Sequence, residues 1–381
     1  MRVAVLGYGT VGVGVYRMLR DASGLEPGPV LVRAGKNAEL FQVTSLEEIL
    51  ADESVGAVVE AIGGVEPAFT YALKTLRSGK HFITSNKALV AAKGLELAAE
   101  ARARGAAFLF SAACGGGVPL LHNLSLASQS DEILSVSGIL NGTTNYMLHA
   151  MQRRGLDYGG ALREAQELGY AEADPTADVS GLDAARKITL ACAVAFSRLP
   201  EAGIDCEGIE HLTAEDVRDF QSRGLTCRLI ARGVPVGNTV AAYVEPVLFG
   251  PSAAECSVVD NYNLARYVGR SSGPMVFMGQ GAGRLPTASA VLRDLSSALD
   301  GQRTMLRADC RSVTADNDQE SHSYYVRMSA ARGFDLPALR LLRSGETVRL
   351  VTEPISVHRM HSYAQKQRRA GREIFFAAME E

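Results

Sequence analysis

The chain has 381 residues, of which 47% are hydrophobic and 21% charged, and its formal net charge is −3. This length exceeds one ordinary core and predicts two or three domains, and the composition is typical of a globular enzyme. The weak charge creates no field that attracts nucleic acid or a membrane surface, and no apolar run reaches the length of a membrane helix. We expect an enzyme of small molecules that binds neither nucleic acid nor membrane.

The first residues and the cysteines bear on the compartment. The start MRVAVLGYG enters a strand-like segment without the apolar stretch of a signal peptide. Six cysteines without a C-x-x-C pair favour neither a zinc site nor disulfides, so we expect reduced thiols in a cytoplasmic protein. His358 and His361 could present two metal ligands on one helical face, but with no carboxylate nearby in sequence a solvated helix face is the preferred interpretation.

Strand-like and helical patterns alternate over the first third of the chain. This alternation predicts a doubly wound parallel sheet of the Rossmann type in an α/β protein. We place the dinucleotide-binding domain at residues 1–130, completed by residues 280–305. The predicted strands are 3–6, 30–32, 57–59, 81–84 and 107–110, and the predicted helices are 11–19, 45–52, 66–78, 88–104 and 287–295.

Longer elements after residue 130 predict an α+β catalytic and dimerisation domain over residues 131–279. Its expected strands are 133–139, 227–232 and 240–249, and its expected helices are 143–153, 159–168 and 181–196. From residue 306 a polar linker leads into a short α+β appendix that ends at residue 381. The appendix is expected to hold strands at 324–328, 348–351 and 373–376 and helices at 336–343 and 358–370.

Gly7, Gly9 and Gly12 form a G-x-G-x-x-G pattern between the first strand and the first helix. In this context the first glycine permits a tight turn, the second lets the backbone approach a pyrophosphate, and the helix N-terminus favours its charge. Glycines that serve only a turn are the simpler alternative. The position between strand and helix favours a dinucleotide site.

The end of the second predicted strand bears on which dinucleotide is bound. An acidic residue there normally binds the ribose 2′-hydroxyl of NAD, whereas this chain has Arg33 and Lys36, which suit a 2′-phosphate. This predicts NADP, with exposed basic loop residues as the simpler alternative. Glu39 is an acidic candidate that would allow NAD.

Two further segments place polar residues at strand ends. Lys87 follows the predicted strand 81–84, at the edge where ligands of open sheets bind, although a surface lysine at a helix start is the simpler interpretation. Residues 141–146 read NGTTNY between a strand and a helix. Such a turn can hold an amino-acid head group, or it can only cap the helix.

The densest pattern is GYAEADPTADVSGLDAARK at residues 169–187. Four carboxylates precede a lysine, and an amino-acid substrate needs carboxylates for its ammonium while a reacting carbonyl needs a proton donor. Asp183 and Lys187 are one helical turn apart and share a face. The alternative is local: Ser180 and Asp183 would form a capping box, and Asp183 with Lys187 an ordinary ion pair.

Together these segments resemble homoserine dehydrogenase over residues 1–300. The resemblance rests on the glycine turn and on SNKAL, CGGGVPLL, GILNGTTNY, the 169–187 segment and GQGAGRLPTASAVLRDL. It implies an enzyme that interconverts L-homoserine and L-aspartate 4-semialdehyde in threonine, methionine and isoleucine biosynthesis, and a homodimer or higher homo-oligomer. Two alternatives remain, namely a related dehydrogenase of another amino acid and a non-catalytic dinucleotide-binding regulator.

The resemblance also implies residue roles. Lys187 would donate the proton, Asp183 would orient the site and Lys87 would contact cofactor and substrate. The substrate would be bound or lined by Glu172, Asp178, Asn141, Gly142, Thr143 and Tyr170. The cofactor would lie on Gly7, Gly9, Thr10, Val11, Gly12, Gly281 and Gly283, with Lys87 as a further contact in addition to Arg33 and Lys36, which were predicted above from the sequence.

The family also holds a sodium ion on backbone oxygens, and the equivalent segment here is residues 111–118. Ser111 and Cys114 replace the usual Glu and Val, and backbone ligands tolerate such changes, so Ser111, Cys114, Gly116 and Val118 are the candidates. The appendix has the element order of part of an ACT domain, an amino-acid-binding regulatory module. Because it is short, a degenerate or purely structural extension is the competing interpretation.

Overall fold

The computed structural model describes residues 1–32, 42–329, 335–344 and 347–380. The strands are β1 Arg2–Leu6, β2 Glu26–Leu31, β3 Gln42–Val43, β4 Val55–Glu60, β5 His81–Thr84, β6 Phe108–Leu109, β7 Ile133–Ile139, β8 Arg198–Ala202, β9 Asp205–Cys206, β10 Thr226–Val236, β11 Thr239–Phe249, β12 Tyr262–Gly269, β13 Gly273–Gln280, β14 Arg311–Thr314, β15 Ser321–His322, β16 Tyr324–Ser329, β17 Ala338–Ser344, β18 Thr347–Thr352, β19 Ile355–Ser356 and β20 Ile374–Glu380.

The α-helices account for most of the rest of the regular structure. They are α1 Thr10–Leu19, α2 Leu46–Ala51, α3 Ala68–Arg77, α4 Lys87–Arg104, α5 Leu120–Ala127, α6 Gly142–Arg154, α7 Tyr158–Glu167, α8 Thr176–Val179, α9 Leu182–Phe196, α10 Ala214–Ser222, α11 Arg284–Leu299 and α12 Val357–Arg369. Within the described ranges, none of these helices has both the length and the apolar character needed to cross a membrane.

The chain divides into two compact units. The first contains residues 1–133, 190–199 and 269–312, and the second contains residues 134–189, 200–268 and 313–381. The first unit holds a six-stranded sheet in the order β3-β2-β1-β4-β5-β6, in which all neighbouring strands are parallel. The central strands are apolar along their length and buried, as parallel strands with both faces covered must be. The predicted Rossmann-type fold is confirmed.

α11 packs against α1 within the first unit. The two helices approach closely because Gly14 of α1 has no side chain, and a Cβ there would lie 2.9 Å from the carbonyl oxygen of Arg284. Gly283 precedes α11 as its N-cap and has a φ of 118°, a conformation that favours glycine. The backbone conformation at the end of the glycine-rich segment 279–283 therefore favours glycine.

The second unit contains a mixed sheet together with helices. Within this unit the strands of the sheet follow the order β12-β7-β10-β11-β20-β16-β18-β17, and β9 pairs with β11. β10 and β11 form a long antiparallel hairpin, while β20 joins β11 in parallel. Strands from the last 60 residues of the chain thus extend the same sheet that begins with β7. They share its core, to which Val326, Met360 and Phe376 contribute.

Two local predictions about the C-terminal part are wrong. Residues 336–343 do not form a helix, because Ala338–Ser344 is strand β17, paired antiparallel with β18. Leucine, alanine and arginine favour helices locally, but sheet pairing overrides that weak preference. His361 is also not on a solvated face: it is 2% exposed, and its Nε2 lies 3.0 Å from Oε2 of buried Glu245.

All six cysteines are free thiols in the structure. Cys114, Cys192 and Cys227 are buried, and the other three are half-buried. Burial raises the pKa of the Cys227 thiol to about 12, so it stays protonated at neutral pH.

Candidate functional site

The glycine motif lies at the carboxyl edge of the first unit's sheet. β1 has β2 on one side and β4 on the other, so the winding direction changes between β1 and β4. Ligands of doubly wound proteins bind at such a switch point, outside the carboxyl ends of the strands. Gly7, Gly9 and Gly12 follow β1 directly and therefore occupy a position suited to a dinucleotide.

Backbone packing requires glycine at two of these three positions. Gly7 has a φ of 94°, and a Cβ on Gly12 would lie 2.1 Å from the carbonyl oxygen of Gly7. At Gly9, the N-cap of α1, a Cβ would meet no atom of the described chain within 4 Å. The first turn of α1, at Thr10 and Val11, presents the positive end of the helix dipole beside this open space. The geometry suits a pyrophosphate.

A buried carboxylate that the sequence analysis missed fixes the adjacent loop. Glu60 ends β4, is fully buried, and accepts hydrogen bonds from the backbone N–H groups of Ile62 at 2.7 Å and Gly63 at 2.8 Å. The hydroxyl of Thr84, at the end of β5, donates to it at 2.6 Å. The signal in the sequence was an acidic residue that closes an apolar strand at the ligand-binding edge.

Lys87 is the first residue of α4, directly after β5. The preceding residue, Asn86, caps this helix by accepting the N–H of Leu89 at 3.1 Å, and its amide donates to the carbonyl of Gly64 at 2.5 Å. Lys87 is half-buried at the same sheet edge as the glycine motif. Its predicted contact with cofactor and substrate stays a prediction.

The candidate cation segment, residues 111–118, packs on the glycine-rich segment before α11. The N–H of Gly117 donates to the carbonyl of Gln280 at 3.1 Å. A Cβ on Gly116 would lie 2.5 Å from the carbonyl oxygen of Gly281, so a side chain there would separate the two segments. Two residues assigned different roles by the resemblance, Gly116 and Gly281, are therefore in contact.

Asp294 of α11 anchors the start of this segment. Its fully buried carboxylate accepts the N–H of Ser111 at 2.7 Å and the hydroxyl of Ser111 at 2.5 Å. Burial raises the pKa of Asp294 to about 7, although these hydrogen bonds act in the opposite direction. Among the described residues, no group of three or more His, Cys, Asp or Glu side chains could hold a metal ion. A cation here would depend on the carbonyl oxygens of Ser111, Cys114, Gly116 and Val118.

In the second unit, Asn141 connects two carboxylates. It is the buried N-cap of α6, and its Oδ1 accepts the N–H of Thr144 at 2.9 Å. Because the oxygen side of the amide is engaged by the helix, Nδ2 points away from it and donates to Asp178 Oδ1 at 2.7 Å and Asp183 Oδ2 at 3.0 Å. The turn is therefore a helix cap and also part of a polar cluster, while its role in holding an amino-acid head group stays a prediction.

The next two residues of this turn complete its packing. Thr143 Oγ1 lies 2.6 Å from the carbonyl oxygen of Tyr170 and 3.2 Å from Asp178 Oδ2. The single hydroxyl proton of Thr143 can be donated to only one of these two acceptors at a time. A Cβ on Gly142 would lie 2.7 Å from the carbonyl oxygen of Asn261, so glycine permits the close approach of that loop.

Asp183 and Lys187 form a nearly buried ion pair on α9. Lys187 Nζ lies 2.7 Å from Asp183 Oδ2 and donates to the carbonyl of Leu140 at 2.6 Å, and the side chains of the pair are 9% and 11% exposed. The predicted capping box is not formed, because Gly181 directly precedes α9 and the hydroxyl of Ser180 donates to the carbonyl of Thr176. The ammonium is held between two acceptors from different elements, which a purely local helical pair would not require.

Tyr170 and Glu172 are the exposed members of the predicted substrate set. Tyr170 packs edge-on against Tyr146, with ring centroids 5.1 Å apart. The Glu172 side chain lies at the surface of the second unit, and its carbonyl accepts a hydrogen bond from Gln166. The buried part of the cluster thus consists of Asn141, Thr143, Asp183 and Lys187, with Asp178 half-buried.

Arg33, Lys36 and Glu39, the residues predicted to decide between NADP and NAD, lie outside the described residues.

Two protein-family models match this chain. Residues 7–111 match the model described as the NAD-binding domain of homoserine dehydrogenase, and residues 119–296 match the model described as homoserine dehydrogenase. Together they span most of the chain, and they include the motifs on which the resemblance was based except most of CGGGVPLL, which begins at Cys114 between the two matches.

Individual proteins agree with the family models. A homoserine dehydrogenase of Bacillus subtilis is 36% identical over 80% of this chain and 74% of its own length, and one of Corynebacterium glutamicum is 39% identical over 78% and 71%. The crystal structure of a homoserine dehydrogenase from Thiobacillus denitrificans superposes with a TM-score of 0.88 at 29% identity, covering 100% of this chain and 98% of that one. Sequence and structure point to the same family.

Proposed function

Because this chain belongs to the homoserine dehydrogenase family and is an NAD(P)-dependent oxidoreductase that interconverts L-homoserine and L-aspartate 4-semialdehyde, we propose that Lys187 is its proton donor and acceptor. The observation that carries the proposal is the position of its Nζ, 2.7 Å from Asp183 and 2.6 Å from the carbonyl of Leu140. These acceptors hold the ammonium at one place beside the polar cluster.

The reaction needs a proton and a hydride. When bound, the nicotinamide cofactor supplies the hydride to the aldehyde carbon or accepts it from the alcohol. In the reductive direction, Lys187 donates a proton to the aldehyde oxygen as negative charge develops there, and in the oxidative direction it receives the proton. Asp183 and the carbonyl of Leu140 hold the lysine in place for this transfer.

We assign the substrate's amino-acid head group to the carboxylate side of the cluster. Its ammonium is matched by Asp178 and Glu172, while Gly142, Thr143 and Tyr170 line the same turn. Asp178 already accepts from Asn141, which fixes the orientation of its carboxylate while an oxygen still has capacity for a further donor. A second charged contact to the ammonium comes from exposed Glu172.

The dinucleotide is assigned to the first unit. The pyrophosphate fits beside Gly7, Gly9 and Gly12. Lys87 lies at the same sheet edge, and Gly281 and Gly283 lie in the segment that precedes α11. Following Arg33 and Lys36, we propose a preference for NADP over NAD. The deciding experiment is oxidation of homoserine by the purified protein with NAD and NADP in parallel; equal or better use of NAD would overturn the preference, and no homoserine oxidation would overturn the activity.

We further propose a sodium ion on the backbone oxygens of residues 111–118. Its support is the chemistry of the donors: carbonyl oxygens suit a hard cation, and the segment is anchored at Ser111 by Asp294. Bound there, sodium would fix the segment against Gly281 and thereby the cofactor side of the site.

The assembly and compartment are also proposed. We expect a homodimer formed through the second unit, which light scattering coupled to size exclusion tests directly; a monomeric mass would contradict it. The six free thiols suit the reducing cytoplasm, where we place the enzyme.

A further inference from the structure

The C-terminal part of the chain lies beyond the matched family region but belongs to the second unit. The family match ends at residue 296, whereas α12 and β20 lie at 357–380. β20 pairs in parallel with β11, with Val247 opposite Ala378. The last elements of the chain are therefore built into the unit that carries the predicted substrate residues.

Arg368 of α12 forms a two-point ion pair with Glu207, which directly follows β9 in the same unit. Arg368 donates from Nη1 to Glu207 Oε2 at 2.8 Å and from Nη2 to Glu207 Oε1 at 2.5 Å, and its Nη2 also lies 3.3 Å from the carbonyl of Ile374. Glu207 is 6% exposed and Arg368 23%. Paired hydrogen bonds of this kind fix orientation as well as distance.

The backbone around Glu207 packs directly on the junction between α8 and α9. A Cβ on Gly208 would lie 1.9 Å from the carbonyl oxygen of Val179, and the N–H of Ile209 donates to that same oxygen at 2.8 Å. The thiol of Cys206 lies 3.2 Å from the carbonyl of Ser180. Residues 206–209 therefore hold this junction from one side by contacts to its main chain.

The junction separates the two carboxylates that Asn141 connects. Asp178 directly precedes Val179, and Asp183 with Lys187 lies on the first turns of α9. A displacement of the junction would move Asp178 and Asp183 relative to Asn141, whose side-chain amide is hydrogen-bonded to both carboxylates.

We propose that Arg368 is a positioning residue for the substrate side of the active site, acting through Glu207 and the α8–α9 junction. The C-terminal segment thereby stabilises the position of the α8–α9 junction in the second unit, which we call its bracing role. The proposal rests on the assignment of Asp178, Asp183 and Lys187 to the reaction.

The kinetic test compares Arg368→Gln, Arg368→Lys and Glu207→Gln in the full-length enzyme. Arg368→Gln should raise the KM for homoserine, or lower kcat/KM for it, by about tenfold to a hundredfold, because small misplacements of reacting groups have such effects. The KM for the dinucleotide should change less than about twofold, because Arg368 lies in the second unit. Arg368→Lys should restore part of the loss, and Glu207→Gln should resemble Arg368→Gln.

The control is Arg372→Gln, since Arg372 is an exposed residue just after α12 whose guanidinium bonds Gln367. It should match the wild type. A lower melting temperature of Arg368→Gln with unchanged KM and kcat for homoserine would overturn the proposal, because the pair would then only stabilise the fold. If Arg368→Gln does not fold, Arg368→Lys carries the same comparison.

A second measurement does not depend on the substrate. Hydrogen–deuterium exchange of residues 176–187 should be faster in Arg368→Lys and Glu207→Gln than in the wild type and unchanged in Arg372→Gln. Unchanged exchange in the first two variants would contradict the bracing role even if the enzyme proved inactive on homoserine, whereas inactivity with the predicted exchange would contradict only the proposed chemistry.

Discussion

The ammonium of Lys187 and the carboxylate of Asp183 lie 2.7 Å apart, and both side chains are about nine-tenths buried. Removing one member of a buried pair leaves the other charge without its partner, so the two residues depend on each other energetically. Asp183 also accepts from Asn141. The position of the Lys187 ammonium therefore depends, through Asp183, on the side chain of Asn141, which precedes α6.

Asn141 offers a substitution that separates its two roles. Serine caps helices well but has no amide to reach Asp178 and Asp183, so Asn141→Ser should keep the cap, lose about 1–3 kcal/mol of stability with the two hydrogen bonds, and lower kcat/KM for homoserine by about tenfold or more. Asn141→Ala should lose the cap as well, at about 1 kcal/mol of stability. Thermal melts with steady-state kinetics measure both quantities. Wild-type kinetics in Asn141→Ser would show that the two hydrogen bonds do not matter for the reaction.

The glycine motif provides a matched pair of variants. A methyl group on Gly12 would lie 2.1 Å from the carbonyl oxygen of Gly7, whereas Gly9 faces open space. Gly12→Ala should therefore lower the melting temperature clearly. Gly9→Ala should leave the melting temperature unchanged and raise the Kd for the dinucleotide about tenfold, which fluorescence titration would measure. A stable Gly12→Ala or full dinucleotide affinity in Gly9→Ala would contradict the assigned geometry.

The half-buried side chain of His322 leads us to predict that the protein loses stability in mild acid. Burial lowers the pKa of His322 below its usual 6.5, with Arg232 acting in the same direction and Glu245 against it. The unfolded chain then binds a proton at His322 more readily than the folded chain does. The stability that the neutral His322 contributes is therefore fully present above pH 6.5 and is lost as the pH falls through the pKa of the folded state. The melting temperature should fall less between pH 7 and 5 in His322→Gln than in the wild type. Equal slopes for wild type and His322→Gln would show that another group accounts for the acid response.

The proposed cation predicts a dependence on sodium. At constant ionic strength, replacing sodium by choline should lower kcat or raise the KM for the dinucleotide several-fold, because residues 111–118 contact Gly281. Ser111→Ala, which loses the hydroxyl bond to Asp294 at 2.5 Å, should require more sodium for the same rate. Identical rates in sodium and choline would contradict the site.

The sequence allowed the Rossmann-type sheet and the position of the glycine motif to be predicted, because strand, turn and helix are adjacent in the chain and each leaves a local pattern. The convergence of Asn141, Asp178 and Asp183 could be assigned only by resemblance, since it depends on how distant turns meet in space. Glu60 was missed for the same reason, as its partner Thr84 lies 24 residues away.

Two other differences have physical causes that no local pattern contains. His361 is buried because Glu245, 116 residues earlier, supplies its partner. Residues 338–344 form a strand because β18 pairs with them, although their leucine and arginine content favours a helix. In both cases tertiary contacts outweighed a weak local preference.

The central claim is that Lys187 transfers the proton, and Lys187→Ala tests it most directly, with exposed Arg186→Ala as its control. We predict that kcat for reduction of aspartate 4-semialdehyde falls by about 10²–10⁴-fold in Lys187→Ala, while the Kd for the dinucleotide changes less than about twofold and Arg186→Ala behaves as wild type. Normal turnover by correctly folded Lys187→Ala would contradict the claim.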